Sequence, residues 1–76
     1  LPTLRSVSGE EVVKILCNRF GFRISGRKGS HVRLSKETPA GKVGTVVPLH
    51  GDIKIGTLHN VLALAKVSQE EFSGYL

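Results

Sequence analysis

The segment of this chain best equipped for chemistry is Arg27-Lys28-Gly29-Ser30-His31, a histidine set among cations and small residues. An unperturbed imidazole titrates near pH ~6.5, so it can take or give a proton in the neutral range. Arg27, Lys28 and, two residues past the histidine, Arg33 are cations suited to the oxygens of a phosphodiester. Gly29 permits close backbone approach and exposes an amide to phosphate. Ser30 brings a hydroxyl that could orient the imidazole or bind a phosphate oxygen. RNA carries its own nucleophile, the 2′-hydroxyl. Cleaving it needs a base for that proton, an acid for the leaving 5′-oxygen and cations for the charge on the phosphorane. A histidine among such cations raises the possibility of chemistry on a polyanion, not only of binding it. The histidines at 31, 50 and 59 lack the close pairs of zinc sites, and no metal or other cofactor is expected.

The charge distribution supports a polyanion partner. The formal net charge is +5. Residues 23–42 hold six bases (Arg23, Arg27, Lys28, Arg33, Lys36 and Lys42) against one acid, Glu37, so the whole surplus falls in this stretch. A basic patch of this kind is the electrostatic footprint of a nucleic-acid partner. Charge runs are also often plain solvated faces, and edge strands favour Lys as protection against aggregation.

The elements that must position these residues follow from periodicity. Ser8-Gly9-Glu10-Glu11 fits a capping box, and Val12, Val13, Ile15, Leu16 and Phe20 continue with helical spacing, which predicts a helix over 9–19 closed by Gly21. Residues 1–7 read as an extended lead-in. Phe22 to Ser25 and His31 to Ser35 alternate apolar and polar, which predicts a hairpin around a turn at Gly26–Ser30. Thr38-Pro39-Ala40-Gly41 is a second turn and Val43 to Pro48 a third strand, whose core face stays ambiguous because Val46 and Val47 point opposite ways. Leu49 to Lys54 reads as a loop. Leu58, Val61, Leu62 and Ala65 mark a second helix opening at Asp52 or Ile55, and Ser68-Gln69-Glu70-Glu71 caps a short terminal one. The expected class is α+β, in the order α-β-β-β-α. Its three-stranded antiparallel sheet carries both main helices on one face, with a short extra C-terminal helix. Period 2 then sends His31, Arg33 and Ser35, with Arg23 and Ser25, to the open face.

Composition bounds the rest. At 76 residues the chain is read as a single domain, 1–76. A chain this small buries only about 60% of its unfolded surface. One cysteine, Cys17, allows no internal disulfide, in keeping with a reducing cytosol and a cytoplasmic location. It reads as packing beside Val13 and Phe20. No apolar run approaches the roughly 18 residues that span a bilayer, so no membrane partner is expected.

Taken in order, several of these pieces resemble the HicA-type toxins of toxin–antitoxin systems, also described as mRNA interferases. The pieces are Ser8-Gly9-Glu10-Glu11, Gly21-Phe22, Arg27-Lys28-Gly29-Ser30-His31, Val47-Pro48-Leu49-His50-Gly51 and Lys54-Ile55-Gly56-Thr57-Leu58. The resemblance covers roughly residues 8 to 72. It implies a double-stranded-RNA-binding-domain-like fold and endoribonuclease activity on messenger RNA, for which the expected chemistry is a metal-independent transesterification that leaves a 2′,3′-cyclic phosphate. It also implies a single catalytic histidine, here His31, and a HicB-type antitoxin that covers the active surface. Leu34 to Ala40 departs from the family pattern as a longer and more polar hairpin connection.

The expected site is thus His31 as catalyst, with Arg27, Lys28, Gly29, Ser30 and Arg33 on the RNA. Arg23 and His50 are secondary candidates; His50 reads as a second acid, an RNA contact or a structural cap of its loop. His59 flanks the core stripe of its helix and has no expected role. Two other readings of the basic face remain. One is a non-catalytic RNA-binding module of the same fold, reading shape, phosphate and 2′-OH. The other is a protein-interaction domain facing an acidic partner.

Overall fold

The computed structural model describes residues 6–49 and 51–76. Within them the order is β1 (Val7–Ser8), α1 (Gly9–Arg19), β2 (Arg23–Lys28), β3 (His31–Thr38), β4 (Gly41–Pro48), β5 (Asp52–Ile53), α2 (Ile55–Ala65) and α3 (Gln69–Ser73). Strands β2, β3 and β4 form an antiparallel meander with β3 in the middle. The fold is the expected α+β arrangement with its short C-terminal helix.

Both caps work as the sequence implies. Ser8 and Ser68 sit in extended backbone and accept hydrogen bonds from the amides of Glu11 and Glu71, each at 3.1 Å. These bonds satisfy donors that a helix start otherwise leaves open. Helix α2 opens at Ile55 without a side-chain cap. It closes at Lys66 in the left-handed conformation, where the Val67 amide reaches the Leu62 carbonyl at 3.0 Å.

One face of the sheet is core. Val32, Leu34, Val43 and Val47 lie under Val12 and Leu16 of α1, Leu58, Val61 and Leu62 of α2, and Phe72 of α3. The ambiguity in β4 resolves with Val43, Thr45 and Val47 inward and Val46 outward. Thr45 is polar at a buried position, and its hydroxyl donates to the Val61 carbonyl at 2.8 Å, tying β4 to α2. The other face of the meander carries His31 and Arg33, both exposed.

Several expectations need correction. Strand β2 runs on to Lys28, so the turn is only Gly29–Ser30 rather than Gly26–Ser30. A bulge between Ile24 and Gly26 breaks the alternation, and Ile24 is 61% exposed where a core residue was expected. Leu34 to Ala40 is no long connection: β3 continues to Thr38 and the turn is Pro39–Ala40. The loop over 49–54 contains β5, which pairs with β1 through Val7–Ile53 and Ser8–Asp52. Two-residue strands carry too little periodicity to be read from sequence. The part of the lead-in before residue 6 lies outside the described residues, as does His50.

Candidate nucleic-acid interface

The site grows from one tight turn. Gly29 has φ +60° and Ser30 has no positive φ, the pattern of a type II′ turn, whose twist suits a two-residue hairpin. The turn sets Lys28 directly opposite His31. On its other side His31 faces Pro48 of β4, and the Leu49 amide donates to the Ser30 carbonyl at 2.6 Å. His31 therefore opens the central strand with a neighbour strand on each side.

Two residues on, Arg33 stands between Gly26 and Val46. Gly26 has no side chain to crowd the guanidinium, and the bulge beside it is held by the Ser25 hydroxyl donating to the Arg33 carbonyl at 3.3 Å. Arg27 Nε donates to the Gly29 carbonyl at 3.4 Å, folding that side chain back over the turn. Arg27, Lys28, Gly29, Ser30, His31 and Arg33 all line one open depression, together with Gly26 and Val46. Every residue of the expected main set is brought together.

The secondary candidates are not. Arg23 lines a different depression, with Ser35, Lys36, Glu37 and Lys42. His50 is not described. His59 is exposed on α2, with its Nδ1 2.7 Å from Gln69 Nε2. Ser35 stays on the open-face side of β3, as expected, but is buried between Arg23 and Gly44, its partners on either side. Among the described residues no three His, Cys, Asp or Glu side chains cluster as a metal site would require.

The basic stretch is also more divided than its composition suggests. Lys36 lies opposite buried Val43, so it points to the helix side, where Nζ donates to the Phe20 carbonyl at 2.9 Å. It thereby places a cation on the carbonyl end of α1 and lies 5.0 Å from the Phe22 ring centroid. Glu37 stands directly opposite Lys42 at the far end of the sheet. The charge left near the histidine is that of Arg27, Lys28 and Arg33. Val46 was missed as a site residue. Its signal is turn length, since a two-residue turn at 39–40 fixes the pairing of 33 with 46.

The model of the HicA toxin of bacterial toxin–antitoxin systems matches residues 9–67, from the start of α1 past the end of α2. The chain belongs to the HicA toxin family. No curated protein and no solved structure gives a significant match. As a HicA-family chain it is the toxin of a toxin–antitoxin pair, and an antitoxin partner comes with that membership. The match covers both hairpins, so the depression around His31 lies wholly inside the HicA region. Among the described residues, no helix of this HicA chain is long and apolar enough to cross a membrane.

Proposed function

We propose that this toxin is an endoribonuclease that cleaves messenger RNA in the cytoplasm, with His31 as proton-transfer group and no metal. The observation that carries the reading is the convergence of Arg27, Lys28, Gly29, Ser30, His31 and Arg33 on one open depression. The imidazole takes the proton of the 2′-hydroxyl as the O2′–P bond forms. The P–O5′ bond breaks, and the 5′-oxygen leaves with a proton from the imidazolium or from solvent. The products are a 2′,3′-cyclic phosphate and a 5′-hydroxyl. Lys28, across the strand from His31, and Arg33, two residues along it, hold the charge that builds on the phosphorane oxygens. The openness of the depression suits a long substrate that must lie across the sheet. A HicB-type antitoxin holds the toxin in check.

A positioned acid–base group contributes about 10²–10⁴-fold to rate. His31→Ala therefore lowers the cleavage rate at least ~100-fold while RNA affinity stays within a few-fold. Cleavage persists in excess chelator. A His31→Ala protein that still cuts refutes the assignment of the base. Loss of cleavage in chelator, restored by a divalent ion, refutes the metal-free route. A wild-type chain that binds RNA without cutting it is a binding module instead.

A further inference from the structure

The two edges of the meander are protected very differently. Strand β2 has the usual safeguards: a bulge at Ile24–Gly26 and three cations, Arg23, Arg27 and Lys28. Strand β4 has neither bulge nor charge cluster. Its register against β3 is unbroken from Gly41 to Pro48, and Lys42 is its one charged residue.

The hydrogen-bond phase shows which groups β4 leaves open. The Leu49 amide bonds the Ser30 carbonyl, so Ser30 and Leu49 form a bonded pair. Bonded and non-bonded pairs alternate in an antiparallel ladder. Val47, Thr45 and Val43 therefore bond β3, whereas Val46, Gly44 and Lys42 turn their amides and carbonyls outward. No strand lies on that outer side among the described residues. Pro48 ends the row without an amide, and its carbonyl is closed in by Gly9 of α1. Gly44, in the middle of the row, has no side chain to shield its neighbours. Beside the row stand two exposed apolar side chains, Val46 (39%) on the open face and Leu64 (59%) on α2, which line one groove with Lys42, Gly44 and Thr45.

We propose that the antitoxin docks by laying an extended acidic segment along β4 as a fourth strand. Its backbone bonds Lys42, Gly44 and Val46; a carboxylate meets Lys42 and an apolar side chain covers Val46 and Leu64. Backbone bonds of this type give affinity and the flanking side chains give selectivity. A second copy of this chain fits the edge poorly. It would join two basic faces, each from a chain of net charge +5, into one sheet. The single acid of the basic stretch, Glu37, already faces Lys42. An acidic segment meets the same surface with the opposite sign and brings its parent protein beside the His31 depression, which shares Arg33 and Val46 with the groove. The inference rests on the antitoxin part of the reading above and does not depend on whether His31 cuts RNA.

Amide hydrogen exchange of the full chain, alone and bound to its HicB-type antitoxin, tests this. The amides of Lys42, Gly44 and Val46 exchange fast in the free chain and slow at least ~10-fold in the complex, while those of β2 facing outward, such as Arg27, do not. Leu64→Glu weakens the complex at least ~10-fold and leaves RNA cleavage unchanged. A complex without protection at those three amides overturns the docking mode. So does an unweakened Leu64→Glu complex. Concentration-dependent protection in the free chain assigns the edge to a second copy and overturns the proposal. Failure to form any complex refutes the partnership and the docking mode together.

Discussion

Gly9 and Gly56 both lie in the first turn of a helix, yet alanine at the two positions has opposite consequences. A β-carbon on Gly9 falls 2.0 Å from the Pro48 carbonyl oxygen, 3.0 Å from its carbon and 3.1 Å from the Leu49 α-carbon. All three are backbone atoms, so no side chain can swing away. The gap has to open from 2.0 Å to the 3.4 Å at which ordinary contact begins, by moving α1 off the end of β4. Overpacking of this sort costs about 1–3 kcal/mol, offset by at most ~1 kcal/mol of helix propensity. A chain of this length holds only about 4–11 kcal/mol of stability. The net loss of up to about 2 kcal/mol should lower the melting temperature of Gly9→Ala by up to about 15 °C, at roughly 4–8 °C per kcal/mol. A β-carbon on Gly56 meets nothing within 4 Å, so Gly56→Ala gains propensity alone and raises the melting temperature by a few degrees, about 5 °C. Thermal unfolding by circular dichroism reads both. Because Pro48 is the strand partner of His31, Gly9→Ala also shifts the His31 ring resonances by NMR, and Gly56→Ala does not. A gain in stability for Gly9→Ala matching that of Gly56→Ala would refute the close approach of α1 to β4.

Three further outcomes follow from the site and its supports. Lys28→Ala flattens the dependence of log RNA affinity on log salt by about 0.7, the share of one phosphate contact on a single strand; an unchanged slope removes Lys28 from the RNA. Gly29→Ala meets no atom within 4 Å but must hold φ +60°, costing about 1–3 kcal/mol, so it melts earlier although nothing is displaced; equal melting would exclude the turn geometry. Burial raises the Cys17 thiol above its usual range, which keeps it neutral. Its stabilising effect is complete below the unfolded pKa and is lost as pH rises through the folded one. Near pH ~8 Cys17 therefore reacts with Ellman's reagent more slowly in the native chain than in concentrated guanidinium, and equal rates would contradict its burial.

The helices were legible because capping and periodicity are local signals: Ser8 with Glu11 and Ser68 with Glu71 mark their own starts. The grouping of the candidate residues was legible for the same reason, since Arg27 to Arg33 flank a turn that only Gly29 makes easy. What escaped depends on partners distant in sequence. Ile24 looks like core until the bulge shifts it outward. Val46 and Val47 are indistinguishable until the register with β3 is known. Lys36 belongs to the basic run by composition, yet structurally it belongs to the end of α1, sixteen residues away. The pairing of β1 with β5 joins residues 7 and 53, and neither segment signals it alone.

The turn at Gly29–Ser30 has a consequence for how the site assembles. Arg27 to Arg33 are seven consecutive residues, and their spacing is set by one hairpin rather than by the long-range packing of the molecule. Contacts this short in sequence close quickly, in about 1–10 μs for a hairpin, whereas non-local pairings wait on slower chain searches. An isolated hairpin is marginal in water, so the core beneath Val32 and Leu34 serves to keep this arrangement populated more than to define it. Closure of this hairpin is therefore the expected early event of refolding, ahead of the pairing of residue 7 with residue 53.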